Sequence, residues 1–284
     1  EWRDRLARQV RDGRLRIGPW YVLADEYLVS PEALVRNLDL GLRLRTELTT
    51  CAEFGVVRRS RLENLGEAPA AVRYLDGFHQ LYPPSLSIRM MAELSYLAAG
   101  YMRHERAQGL PLGIYTLNAR LTDLAEPAES LRVAVAWSLG HADPTVLLSD
   151  RQLDAFRRGQ PVQAEGEVRG TPGACLVADA VSLAPGQIHA WLHVADTELD
   201  HSALVALQAQ LADPAALAAR VHAAVDANQR GLRDRIAAAD GLQHTADRMT
   251  SVHHFANVLY NCMRGGTFSA GYAFPRDDFQ TFLG

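Results

Sequence analysis

The sequence contains no lysine: all 29 of its basic residues are arginines. That uniformity reads as a compositional habit of the source genome rather than a binding device. Cysteine is scarce as well. Cys51, Cys175 and Cys262 stand far apart, and an odd number cannot complete a disulfide framework. With no CxxC or comparable ligand spacing, they read as reduced thiols in a cytoplasmic protein. No run of about 18 apolar residues exists, which excludes a membrane-spanning helix. Excess positive charge is also missing. The formal net charge is -4 and the pI near 6.2, which excludes a broad basic face for nucleic acid. Glu1-Trp2-Arg3-Asp4 lacks both an initiator methionine and the apolar core of a signal peptide.

What is present is ordinary globular material. The 284 residues and 31.2 kDa suit one large domain or two smaller ones. Hydrophobic residues make up 48% and charged residues 22%, enough for a sizeable core and too apolar for a wholly disordered chain.

Residues 1–12 read as a short amphipathic helix ended by Gly13, and 14–23 as a short extended segment. Ser30-Pro31-Glu32 supplies an N-cap hydroxyl, a first-turn proline and an acid at the positive dipole end, so a helix is expected to about Leu40. Strand patterns then take over. Residues 54–63 and 71–75 flank Asn64-Leu65-Gly66-Glu67-Ala68-Pro69 as a hairpin, and 174–183 and 187–194 flank Ala184-Pro185-Gly186 as a second. Leu131, Val133, Val135 and Trp137 alternate with smaller or polar residues, the period of a half-buried strand. One helix is expected over about 85–106 and a shorter one over 150–158. From Asp196 the chain turns helical and alanine-rich, with helices over 199–211, 214–239 and 246–263. Leu217, Val221, Val225, Leu232 and Ile236 form an apolar stripe. Strands first and helices second predict an α+β fold.

Two resemblances are carried by particular strings. RLRIGPWYVLADEYLVSPEALVRNLDLG, residues 14–41, resembles a segment of the catalytic domain of family 38 α-mannosidases, with Trp20, Asp25, Glu26, Ser30, Glu32, Arg36 and Asn37 matching its pattern. FGVVRRSRLENLGEAPAAVRYLDG, LTDLAEPAESLRVAVAW, ADGLQHTAD and HHFANVLYNCMRGGTF look like the interior of bacterial cellobiose-phosphorylase-like or glycoside-hydrolase-like proteins. The second resemblance implies a mainly antiparallel β super-sandwich followed by a helical linker and then an (α/α)6 catalytic barrel. Together they imply three parts: a mannosidase-like helix–strand–helix segment over 1–45, the super-sandwich over 46–196, and the linker over 197–284. The barrel would be missing, and both chain ends read as cut from something longer. The implied protein acts on oligosaccharides, and this chain would be a non-catalytic portion of it. The rivals are a reduced α-mannosidase-like hydrolase and a stand-alone carbohydrate-binding or oligomerisation module.

Candidate chemistry is thin. Asp25 and Glu26 are adjacent, so on an extended chain they point to opposite faces and cannot flank a glycosidic bond alone. They read as a sugar-hydroxyl contact or as a solvated turn. Trp20 and Tyr21 suit stacking on a pyranose ring or core packing. His253 and His254, with Asn257 and Arg264 farther along, form the densest polar cluster and the second candidate substrate contact; the plainer reading is that they bond backbone at a helix end. His141-Ala142-Asp143 spells H-x-D but reads as a polar turn, so no zinc and no other cofactor is expected. Asp76-Gly77 reads as a strand-end turn or a loop aimed at a partner domain. His189, Trp191 and His193 alternate on one strand face, and no Ser-His-Asp set can be assembled from spacing. The expected partner is an oligosaccharide or a catalytic domain. The helices over 214–239 and 246–263 are expected to leave apolar stripes uncovered and to support a homodimer.

Overall fold

A computed structural model describes residues 42–86, 88–93, 95–120, 130–239, 241–265 and 275–283. The expected mannosidase-like segment up to residue 41, with Trp20, Asp25 and Glu26, lies outside them. The fold is α+β, with antiparallel sheets and helices. Its strands are β1 (Leu42–Cys51), β2 (Gly55–Asn64), β3 (Ala70–Leu81), β4 (Met102–Arg106), β5 (Leu112–Leu117), β6 (Val133–Leu139), β7 (Thr145–Leu147), β8 (Glu167–Arg169), β9 (Gly173–Leu183) and β10 (Ile188–Leu199). Its helices are α1 (Ile88–Glu93), α2 (Ser95–Gly100), α3 (Leu153–Arg157), α4 (His201–Leu211), α5 (Pro214–Ala238), α6 (Arg248–Met263) and α7 (Arg276–Leu283). One sheet has the order β1-β2-β10-β6-β5-β4-β8 and a second has β3-β9-β7. The helices α4, α5 and α6 follow the strands as the composition shift predicts.

The described residues divide into two compact units. The smaller takes those up to Leu48, with Ser60–Val72 and Val181–Ala190. Its organiser is Asn64, which is fully buried. The Asn64 amide donates to the carbonyls of Ala68 and Leu183, each at 2.9 Å, and its oxygen accepts from the Gly66 amide at 2.9 Å. One side chain therefore satisfies three backbone groups, two in its own turn and one at the end of β9.

The larger unit holds Thr49–Arg59, Arg73–Ala180 and the chain from Trp191 on. Here β6 pairs antiparallel with β10 and β5, and β4 with β5 and β8, while β7 pairs with β9. The core gathers Val57, Leu112, Val135, Trp137 and Val194 from the strands and Phe54 from the turn before β2, with Leu207, Leu217, Val221 and Val225 from α4 and α5. Asp213 caps α5 by accepting from the Ala216 amide, and Pro214 follows at the first helical position.

Three expectations need correction. The two hairpins do not form as such: β2 and β3 belong to different sheets, as do β9 and β10. Turn chemistry marks where the chain reverses but does not choose which strand becomes the hydrogen-bonded neighbour. The helix expected to Arg106 stops at Gly100, because Met102 and His104 alternate inward with strand period and Met102–Arg106 pairs with β5. Most of the apolar stripe of α5 is covered: Leu217, Val221 and Val225 lie in the main core and Ile236 packs with Val258 of α6, while Leu232 stays 41% exposed. Side chains left at the surface of α6 include Tyr260 and Met263, exposed at 57% and 77%.

Candidate functional site

The densest chemistry in the structure is a buried polar cluster inside the larger unit, drawn from positions far apart in sequence. Strand period places it. Tyr74 and Asp76 are two apart on β3 and share a face, as do Trp191 and His193 on β10. The register of β10 on β6 sets His193 directly opposite Ser138. Past the end of β6, Gly140 takes a φ of 92°, a conformation open to glycine, and His141 follows. The His141 ring then meets the Ser138 hydroxyl.

Around Asp76 the cluster is an ion pair with supports. Arg58 Nη2 lies 2.7 Å from Asp76 Oδ1, with the two side chains only 11% and 14% exposed. The Trp191 indole donates to Asp76 Oδ2 at 2.7 Å, and His193 Nε2 stands 3.4 Å from the same oxygen. Neither His193 ring nitrogen has an aligned hydrogen bond. Burial by itself would raise the Asp76 carboxyl. The neighbouring His193, the Arg58 guanidinium and the Trp191 donor outweigh it and hold the group well below the usual carboxylate range. Arg58 also donates to the Gly77 carbonyl at 2.9 Å. Gly77 is required by close approach: a Cβ there would fall 1.9 Å from the Cys175 carbonyl oxygen, at a φ of 150°.

Around Asp179 the cluster is a hydrogen-bond chain. The Ser138 hydroxyl donates to the Leu192 carbonyl at 2.9 Å and meets His141 Nε2 at 2.5 Å. On the other edge of the ring, Nδ1 is 2.9 Å from the Tyr74 hydroxyl and 3.8 Å from Asp179 Oδ2. Asp179 Oδ2 also accepts from the Ala142 amide at 3.0 Å and lies 3.5 Å from the Tyr74 hydroxyl. Burial, and then Asp179, push the Tyr74 phenol far above its ordinary range, so it stays protonated. The Tyr74 and Trp191 rings stack with centroids 4.6 Å apart, and the two imidazoles sit 5.6 Å apart.

Ser138, His141 and Asp179 carry the residue types of a hydrolytic triad, but the arrangement is not one. Ser138 is completely buried and spends its hydrogen on a backbone carbonyl. A nucleophile must reach a substrate carbonyl with its base free to take the proton. Cys175 is excluded on other grounds, because burial pushes its thiol up to about 12 and the thiolate is the reactive form. Beside it, Tyr115 donates to the Ala174 carbonyl and His104 contacts the Thr171 carbonyl at 2.7 Å, contacts that brace the sheets. Among the described residues, no three His, Cys, Asp or Glu side chains stand where they could hold a metal ion.

The structure separates the members of H-x-D: the His141 ring is buried and Asp143 is exposed. Asp76-Gly77 is neither a turn nor a loop, but the middle of β3. His253 is exposed and His254 half-buried on α6, and Arg264 caps the helix with its guanidinium 4.9 Å over the Tyr260 ring. None of the three belongs to the buried cluster. The alternation of Trp191 with His193 was the usable sequence signal for that cluster. Tyr74 and Asp179 had none, because their partners lie 67 and 37 residues away.

A protein of Halalkalibacterium halodurans described as "Putative mannosylglycerate hydrolase" is 56% identical to this chain over 38 residues, 13% of the chain and 4% of that protein. The chain therefore spans a small fraction of that relative, and the link is glycoside-hydrolase-like over that stretch alone. No known family model matches the chain. Among the described residues, no helix is long and apolar enough to cross a membrane.

Proposed function

We propose that this chain is a non-catalytic portion of a carbohydrate-active enzyme of the glycoside hydrolase or phosphorylase class, acting on oligosaccharides. Its strands and helices frame a separate catalytic domain. The observation that carries this reading is how the buried carboxylates are used. Glycoside hydrolysis needs two carboxyl groups free to face a scissile bond. Here Asp76 is tied to Arg58 and Trp191, and Asp179 accepts from the Ala142 amide. Both serve the packing of strands. The short likeness to a protein named as a mannosylglycerate hydrolase supports the carbohydrate class.

The test is turnover together with stability. The purified chain is assayed on an aryl α-mannoside and mannosylglycerate, and on cellobiose with inorganic phosphate. No turnover is expected, and Asp76→Asn and Asp179→Asn should each lower the melting temperature. Turnover that either variant abolishes at unchanged stability would overturn the reading and favour a reduced hydrolase. The same reading includes self-association through α6, whose Tyr260 and Met263 are exposed. Light scattering at micromolar concentration checks it, and a monomer would remove that element.

A further inference from the structure

We propose that Tyr74 is a proton-operated toggle, donating its hydroxyl hydrogen to His141 when that imidazole is neutral and to Asp179 when it is protonated. The number of hydrogens on each group fixes the direction of each contact. The Leu192 carbonyl can only accept, so at 2.9 Å the Ser138 hydroxyl must be its donor. That hydroxyl has a single hydrogen, so towards His141 Nε2, 2.5 Å away, its oxygen can only accept. Nε2 therefore carries a proton in every state of the ring. A neutral imidazole has one N–H, which leaves Nδ1 bare and able to accept from the Tyr74 hydroxyl at 2.9 Å.

Adding a proton to the ring puts it on Nδ1, and the 2.9 Å contact must reverse. Nδ1–H now donates to the phenol oxygen, and the phenol hydrogen must turn elsewhere. An acceptor within reach is Asp179 Oδ2, 3.5 Å away. The result is a bridged ion pair, imidazolium to hydroxyl to carboxylate, replacing a neutral contact. It joins β3 and β9 of the three-stranded sheet to Ser138 of β6 and to the His141 turn.

The groups facing His141 support a proton there. Asp179 approaches from β9 and Asp76 from β3, while Arg58 of β2 supplies one fixed positive charge against those two carboxylates. The His193 imidazole from β10 is 5.6 Å from the His141 ring. Asp76 is matched by Arg58 at 2.7 Å, which leaves the Asp179 carboxylate, 3.8 Å from His141 Nδ1, as the buried charge that a proton on His141 balances.

Histidine-selective 15N NMR of the intact chain across the range where imidazoles titrate, about pH 5 to 8, tests this. The His141 signal is assigned by its loss in His141→Gln. At the alkaline end His141 should hold its proton on Nε2, and on acidification Nδ1 should gain one. In Asp179→Asn the proton affinity of His141 should fall roughly tenfold or more. In Ser138→Ala, Nε2 loses its acceptor, and the neutral ring should switch its proton to Nδ1. A neutral wild-type His141 protonated on Nδ1, or an affinity unmoved in a folded Asp179→Asn chain, would overturn the proposal. The wild-type tautomer is read without any variant, so a variant that fails to fold does not shield it.

Discussion

In the strands, Arg58 and Asp76 meet at 2.7 Å inside the molecule, whereas His253 on α6 and Arg264 at its C-cap are exposed, Arg264 lying over the Tyr260 ring. The two regions therefore use charge differently. A buried pair leaves an uncompensated charge in low dielectric when one partner is removed, while an exposed group returns to water at little cost. Burial, rather than the density of polar residues, decides which region depends on its polar side chains.

The largest expected effect breaks the strand side of that contrast. Asp76→Ala leaves the Arg58 guanidinium and the Trp191 N–H without their carboxylate and should destabilise the fold by about 3–5 kcal/mol, measured by urea denaturation. Replacing Arg58 and Asp76 together by leucine should cost less than the sum of the two single losses, because no orphaned charge remains. Acid should reproduce part of the Asp76 effect. The folded carboxyl is held below its unfolded value, so its contribution is complete above the ordinary carboxylate range and is lost as pH falls beneath it. Asp76→Asn should flatten the acid limb of a stability-versus-pH curve; an unchanged limb would show that another group sets it.

The next effect separates the helices from one another. Leu217→Ala on α5 removes a side chain buried in the main core and should cost about 3 kcal/mol by the same measurement. Met263→Ala on α6 removes an exposed side chain and should leave stability nearly unchanged. Comparable losses at both sites would mean that the end of α6 is covered in solution.

How much of this was legible in the sequence follows the range of the interactions. The α+β class, the helices α4, α5 and α6 and the β6 strand are written in local periodicity and are readable. The capping of α5 by Asp213 ahead of Pro214 is local as well. Sheet membership was not, because the signals at Asn64-Leu65-Gly66 and Ala184-Pro185-Gly186 mark a reversal and say nothing of which distant strand accepts the hydrogen bonds. The polar cluster lay further out of reach. Tyr74, His141 and Asp179 come from three separate elements, and His141-Ala142-Asp143 drew attention to a neighbour that the fold turns to solvent. Asp76-Gly77 reads locally as a strand-end turn or a loop, although the role of Gly77 is to let β3 approach the Cys175 carbonyl.

The smallest expected effect is the most pointed for the helix side. His253 and Arg264 were candidate substrate contacts because they crowd one stretch of sequence, yet the helix spacing that crowds them also leaves both exposed. His253→Ala and Arg264→Ala should each change stability by less than about 0.5 kcal/mol. Arg264→Ala loses only the contact over Tyr260, an exposed pairing. A null effect on stability does not dispose of binding, so the same variants are titrated with a manno-oligosaccharide and followed by tryptophan fluorescence. If they bind as wild type does, the cluster on α6 is surface chemistry. If binding is present and either variant abolishes it at unchanged stability, the exposed helix is the working surface, and the buried cluster is its support.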